Sequence, residues 1–412
     1  MRLGVLSIRG CLLCLFVGGS FICEGVVCDP VRADEDAVVR PVASGAVRVA
    51  TFNCSLNRET AGQLERDLST DGDLQARRVA RVLRTVRPDL VLLNEFDFSE
   101  SGQAAQLFLK NYLAADVSWS AEPALKYEYW WSDPVNTGVP TGLDLDHDGK
   151  TDGPGDAFGF GRFPGQYGML LLSKYPIDTA RVRTFQKLLW QQMPGALLPV
   201  DPGTQQGWYS AGDLQQFRLS SKSHWDIPVR IEGRELHVLA SHPTPPAFDG
   251  AEDRNGRRNH DEIRLWKDYL TAGADSWIRD DAGVSGGLAA DAAFVILGDL
   301  NADPVDGGSV SGAIQQLLGH ARVQAVPVPT SAGGVQAAAS QKGANLQHRG
   351  IPAEDTADFS DRSVGNLRAD YVLPSVGVKI EAARVYWPAA GESAELVECS
   401  DHRLVFLDLR LK

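Results

Sequence analysis

The chain has 412 residues, with 40 Lys and Arg against 53 Asp and Glu and a formal net charge of −13. That length supports one large core and exceeds the usual size of a single domain. The acidic balance argues against a processive, high-affinity nuclease, because non-specific affinity comes from Lys and Arg neutralising phosphates. A metal-dependent enzyme with a local basic groove stays open.

Residues 1–33 read as an export leader. Arg2 and Arg9 form a basic start, CLLCLFVGGSFI (11–22) a short apolar run, and Val31-Arg32-Ala33 a cleavage site. The run falls short of the roughly 20 apolar residues that a membrane-spanning helix needs. A cleaved signal peptide and a secreted or periplasmic protein are expected, with an uncleaved anchor as the alternative. No later segment reads as a span. The leader carries Arg2, Arg9 and Arg32 against Glu24 and Asp29, so the mature chain stands near −14. It also holds Cys11, Cys14, Cys23 and Cys28, which leaves Cys54 and Cys399. These two form either a disulfide joining the first and last strands or two free buried thiols.

Residues 34–46 read as a linker, and the remainder (47–412) as one domain. VRVATFN (47–53) alternates and predicts a first strand that ends on Asn53. Leu74, Val79, Val82, Leu83 and Val86 recur at helical spacing, with Asp71 or Asp73 as cap and Pro88 as stop. LVLLNE (90–95) is a second strand, ending on Glu95. GMLLLSKYPI (168–177) is a buried strand, and DIPVRIEGRELHVLASH (226–242) a hairpin around Glu232-Gly233 that ends on His242. A helix is expected from Asn259 to Leu270. FVILGDLN (294–301) ends on Asp299 and Asn301; RADYVLPS opens at Asp370, and SDHRLVFLDL at Asp401 and His402. Segments 114–165, 185–225 and 325–365 read as insertions, and loops that long are usually functional or disordered. Strands outnumber helices, which suits a sandwich of two mixed sheets with helices outside.

Four strands thus end on polar residues and two begin on them. If the two groups run in opposite directions, all these residues meet on one rim. Carboxylates, amides and imidazoles on one rim are what metal-assisted phosphoryl hydrolysis requires. Mg²⁺ asks for oxygen ligands and keeps several waters, so one or two carboxylates suffice. A His paired with an Asp is held in one tautomer and gains basicity.

The set TFN, NE, SH, GDLNADP, RADYVLPS and SDH resembles the endonuclease/exonuclease/phosphatase superfamily, the DNase I-like fold, over roughly 47–410. The resemblance implies a four-layered α/β sandwich and a phosphoesterase dependent on Mg²⁺ or Mn²⁺. Glu95 would bind the metal, with Asn53 and Asp401 close by and Asn53 also near substrate. Asp299 would orient or activate the attacking water, and Asn301 would hold a phosphate oxygen. His242 and His402 would stabilise the phosphorane or protonate the leaving oxygen, with Asp370 orienting His402. One departure stands out. Some family nucleases pair the histidine equivalent to His242 with a Glu, and GQYGMLL offers Gln166 and Tyr167 there instead.

Two further motifs carry expectations. Arg257 and Arg258, in DRNGRRNHDEIR (253–264), are candidate phosphate contacts, or part of a solvated helix start. DLDHDGKTDGPGD (144–156) places Asp144, Asp146, Asp148, Gly149 and Asp152 at calcium-loop spacing, although Gly155 occupies the twelfth position, with Asp156 adjacent, and flanking helices are absent. Structural Ca²⁺ or an acidic Gly-rich loop are the readings. YEYWW (127–131) offers an aromatic rim or packing for an insertion. The two functional readings are an exported, monomeric phosphoesterase and a non-catalytic extracellular binding module on the same fold. For the enzyme, nucleic acid, a phospholipid headgroup and a small phosphate ester remain as substrates.

Overall fold

The computed structural model describes residues 39–389 and 392–412. The expected leader (1–33) and the start of the expected linker lie outside the described residues.

Val47–Asn53 (β1) forms as the alternation predicts. Asp73 caps the helix Leu74–Val86 (α1), its carboxylate accepting from the Ala76 N–H at 2.7 Å. The predicted stripe is buried except for Leu74, which stands 72% exposed at the helix start. Leu90–Asn94 (β2) returns parallel to β1. Tyr129–Trp131 (β3) and Met169–Ser173 (β4) extend this sheet, and the two-residue strand Arg183–Thr184 (β5) opens a second one. His224–Ile231 (β6) and Arg234–Ser241 (β7) form the predicted hairpin. Glu232 and Gly233 both take positive φ, 49° and 83°, as a two-residue turn between twisted strands demands.

Arg254–Leu270 (α2) begins five residues before the expected start. Phe294–Asp299 (β8) lies parallel to β7. Ala357–Asp358 (β9) and Asn366–Leu367 (β10) make a small ribbon, followed by Asp370–Pro374 (β11), Lys379–Tyr386 (β12) and Leu404–Arg410 (β13). The larger sheet has the order β12-β13-β1-β2-β4-β3, and the smaller β11-β8-β7-β6-β5. β13 is antiparallel to β1, and β11 antiparallel to β8. The ends of β1, β2, β7 and β8 therefore share an edge with the starts of β11 and β13.

Period-two alternation builds the layers. Val238 and Ala240 of β7, Val295 and Leu297 of β8, and Val372 of β11 join the core shared with β1 and β2. Their neighbours Leu239, Phe294, Ile296, Tyr371 and Leu373 face the other way and pack with Ile263, Trp266, Tyr269 and Leu270 of α2. The result is the expected four-layered sandwich. Each fully buried Leu or Ile contributes roughly 1.5–3 kcal/mol, enough for α2 to carry the polar residues described below.

Cys54 and Cys399 are free and buried; no disulfide joins them. The Cys54 thiol instead donates to the Asn94 carbonyl at 3.3 Å. YEYWW packs rather than lining a rim: β3 pairs with β4, and the Tyr127 hydroxyl donates to the Pro88 carbonyl. Among the described residues no helix is long and apolar enough to cross a membrane.

Candidate active site

The shared strand edge brings Asn53, Glu95, His242, Asp299, Asn301, Asp370 and His402 together. Asn53 ends β1 from one sheet, and its amide donates to Glu95 Oε1 at 3.0 Å and to Asp299 Oδ2, on the other sheet, at 3.1 Å. Asn57 donates to the second Glu95 oxygen at 2.7 Å. Glu95 sits at φ 59°, a conformation that costs a non-glycine residue of order 1 kcal/mol or more. The turn aims its half-buried carboxylate into the cluster.

Asp299 is the hub. Its Oδ1 accepts from the Asn301 N–H at 2.9 Å, and its backbone N–H donates to Asn94 Oδ1 at 3.2 Å. Oδ2 faces the Nε2 atoms of His242 and His402 at 3.4 and 3.5 Å. Burial raises the Asp299 pKa, but His402, His242 and Asn53 outweigh it and hold the carboxyl well below its ordinary range.

The two histidines differ sharply. His402 Nδ1 donates to Asp370 Oδ2 at 2.8 Å, and that oxygen also accepts from the Thr356 hydroxyl at 2.8 Å. Burial disfavours the imidazolium, yet Asp370 and Asp299 prevail and push its pKa up to about 10. Asp370 itself is raised to about 6 by burial, against the pull of His402. His242 has no such carboxylate. Its Nδ1 is buried without a protein partner, and burial and nearby Lys222 lower its pKa despite Asp299 and Glu95. His402 is thus charged near neutrality, and His242 neutral. Gln166 does not serve His242: its side chain accepts from the Arg162 N–H and donates to the Arg58 carbonyl, both at 2.7 Å.

Asn301, at φ 51°, donates from its amide to the Pro243 carbonyl at 3.1 Å and so ties the His242 loop to the end of β8. Asp401 is exposed and stands apart from the bonded cluster; its carbonyl accepts from the Asp358 N–H at 2.7 Å.

Arg258 is not a substrate contact. It is 6% exposed, and its guanidinium donates to the carbonyls of Leu219, Phe158 and Arg218 at 2.8, 2.6 and 2.9 Å. Those donors are occupied in bracing the loops under α2. Arg257 is half-buried on the same helix, with a buried Nε that has no protein partner.

Three contributors escaped the sequence reading. Lys222, 6% exposed, lies within electrostatic reach of Glu95, Asp299 and His242; burial lowers its pKa while Glu262, Glu95 and Asp299 oppose this. Glu262 of α2 accepts from the Ser221 N–H and hydroxyl at 2.6 and 2.9 Å and from the Thr244 N–H at 2.7 Å, clamping the loops on both sides of His242. Asn259 donates to the Thr244 and Leu300 carbonyls, both at 2.9 Å.

The donor chemistry fits a hard divalent cation. Glu95 offers a half-exposed carboxylate, with Asn53 and Asp299 adjacent. Asp299, Asp370 and His402 also present ligand atoms within 4.8 Å of one another, but both His402 nitrogens already face carboxylates. That trio is ion-paired, whereas the half-buried Glu95 carboxylate accepts only from the neutral amides of Asn53 and Asn57.

The acidic loop 144–156 gathers differently from expectation. Asp144, Asp146 and Asp156 bring ligand atoms within 4.8 Å of one another, and Asp144 Oδ1 is buried without a partner. Asp148 and Asp152 are exposed, Asp148 pairing with Lys150 at 3.3 Å. Gly155 packs against Asp146, whose Oδ2 would have to shift to admit a Cβ there.

A profile of the Endonuclease/Exonuclease/phosphatase family matches residues 50–402. Among solved structures, an endonuclease/exonuclease/phosphatase from Beutenbergia cavernae DSM 12333 is 18% identical, with a TM-score of 0.47 over 89% of this chain and 72% of that one. Sphingomyelinase C from Streptomyces griseocarneus is 16% identical, with a TM-score of 0.44 over 88% and 99%. The human Nocturnin catalytic domain is 12% identical, with a TM-score of 0.42 over 89% and 94%. The comparison with curated proteins found no match.

Proposed function

Because the chain belongs to the endonuclease/exonuclease/phosphatase family, we propose that it is an exported, divalent-metal-dependent phosphoesterase that acts by in-line attack of water. The observation that carries this reading is the one carboxylate, Asp299, held ionised between two histidines of opposite charge state. Pairs of titratable groups pushed apart in this way mark acid and base roles.

Glu95, flanked by Asn53 and Asp299, would hold Mg²⁺ or Mn²⁺, which when bound neutralises charge on the phosphate and the leaving oxygen. Asp299 Oδ2 orients the attacking water through a hydrogen bond. His402, kept protonated by Asp370, donates from Nε2 to an oxygen of the substrate as charge develops there. Neutral His242 and the Lys222 ammonium present further donors to the phosphoryl oxygens.

Hydrolysis of bis-p-nitrophenyl phosphate with and without Mg²⁺ tests the proposal. Wild type should turn over only with the metal, and Glu95→Ala and His402→Ala should each lose at least about 10²-fold. No hydrolysis of any phosphoester, or rates indifferent to both substitutions, would overturn it.

The acidic loop supports a second, structural cation. Asp144, Asp146 and Asp156 offer three carboxylates, and an unpartnered buried oxygen among them suits Ca²⁺. Asp156, beside the twelfth position of the loop, joins Asp144 and Asp146, whereas Asp148 and Asp152 stay exposed.

A further inference from the structure

The pair formed by Asp370 and His402 is backed by residues from the segment 325–365, the last of the three expected insertions. Thr356 stands at the centre of that backing, 1% exposed and immediately before β9. A hydroxyl has one hydrogen to give and two lone pairs to fill. The N–H groups of Ala369 and Asp370 both donate to the Thr356 oxygen at 2.9 Å, which fills the lone pairs. Its hydrogen is therefore committed to Asp370 Oδ2, at 2.8 Å. Asp370 Oδ1 is buried without a protein partner, so the hydrogen bonds to this carboxylate converge on one oxygen. Of the two donors there, His402 is the group to be placed and Thr356 the fixed one.

The backbone of the same short stretch also holds the residues around His402. The Thr356 carbonyl accepts from the Arg403 N–H at 2.7 Å, the Asp358 N–H donates to the Asp401 carbonyl at 2.7 Å, and Ala357 bridges to His402. Asp358 is latched in turn. Its Oδ2 accepts from the Arg403 guanidinium and its Oδ1 from the Gln341 amide, both at 2.7 Å, and Gln341 accepts from Asn366 of β10 at 3.0 Å. Gln341 ends the helix Ala332–Gln341 and is half-buried.

We propose that Thr356 is a positioning residue for the Asp370–His402 pair, and that the ribbon β9–β10, latched by Gln341, sets the geometry of that pair. The inference rests on the phosphoesterase reading for its effect on rate, and on the bonding alone for the positioning. A misplacement of about 1 Å near the chemistry can cost about 10²-fold in rate. A bond that pins the carboxylate behind His402 should therefore account for a measurable part of kcat.

Thr356→Ala removes the hydroxyl, and Thr356→Ser keeps it. With bis-p-nitrophenyl phosphate and Mg²⁺, Thr356→Ala should lower kcat about tenfold at nearly constant KM, and Thr356→Ser should stay within about twofold of wild type. In a His402→Ala background the same Thr356→Ala change should cost less than about twofold, because the hydroxyl then has no ring to place. A role in folding alone would lower both backgrounds alike, and that result would overturn the proposal. Should Thr356→Ala fail to fold, Gln341→Ala loosens the ribbon from outside. It should lower kcat about two- to threefold, again only where His402 is present. Full activity of Gln341→Ala together with a folded, fully active Thr356→Ala would equally sink the idea. A readout without substrate is the ring N–H of His402 in the full chain carrying isotope-labelled histidine, identified by its loss in His402→Ala. Its exchange with solvent should speed at least about tenfold in Thr356→Ala, or about threefold in Gln341→Ala, and return in Thr356→Ser. Unchanged exchange in these variants rules out the positioning role, whereas a wild type that hydrolyses no phosphoester counts against the phosphoesterase reading.

Discussion

The two halves of the candidate active site present the same residue at nearly the same distance, His242 at 3.4 Å and His402 at 3.5 Å from Asp299. Yet one is pushed toward neutrality and the other held charged. The difference lies behind the ring. Asp370 and Thr356 complete the His402 side, while the far nitrogen of His242 meets no protein partner and Lys222 opposes its protonation. What faces the substrate is thus decided by what stands at the other nitrogen.

The strongest test of this contrast is to remove each ring. His402→Ala should lower kcat about 10³-fold or more, and His242→Ala nearer 10²-fold, within the span seen for general acids. Stopped-time hydrolysis measures both, and equal losses would break the comparison. Next in size, Asp370→Asn should cost about 10²-fold and change the pH profile. In wild type, activity should fall as pH drops through about 6, where Asp370 takes a proton, and again as pH rises through about 10, where His402 loses one. The variant should lose its alkaline plateau early, with the limb moving toward the ordinary histidine value near 6.5.

The same shift bears on stability. A raised His402 pKa contributes stability that is fully present below its unfolded value and lost as pH rises through about 10. The depressed Asp299 contributes above the unfolded carboxylate value and loses it as pH falls through its folded one. Denaturant titrations of wild type against His402→Asn should therefore converge between neutral pH and 10. A smaller effect is expected from Glu262→Gln, about tenfold in kcat with a loss of about 1–3 kcal/mol, because two buried donors and a part-buried one lose a carboxyl acceptor. Smallest of all on catalysis, Ca²⁺ should raise the melting temperature by a few degrees. A hundredfold excess over its dissociation constant is worth about 2.7 kcal/mol. Asp146→Asn should abolish that rise and leave the ratio between the two histidine variants untouched.

The half of this centre built on strand ends was legible in the amino-acid order. A short apolar run stopped by Asn53, Glu95, His242 or Asp299 has few places to be except a sheet edge, and the Asp370–His402 pair follows from two strands that start there. The half built on turns and on α2 was not. Lys222 sits in a bend before β6, where nothing periodic marks it. Glu262 and Asn259 lie among charged neighbours that look solvated, and only packing reveals that this face of α2 is buried. Arg258 misled for the converse reason: a guanidinium at a helix start looks free until three carbonyls claim it. Strand β12 was missed because KIEAARVY, on a sheet edge, is half-exposed and lacks an apolar run.

Asn53 gives this arrangement a mechanical side. One amide spans from the larger sheet to a carboxylate on the smaller, so the geometry of the candidate site also gauges how the two sheets sit against each other. A slip of a fraction of an ångström between them would part Asn53 from Asp299 before any strand came apart. Turnover should therefore fade on heating ahead of the loss of secondary structure, and faintly destabilising changes deep in the sandwich should register first as slow enzyme.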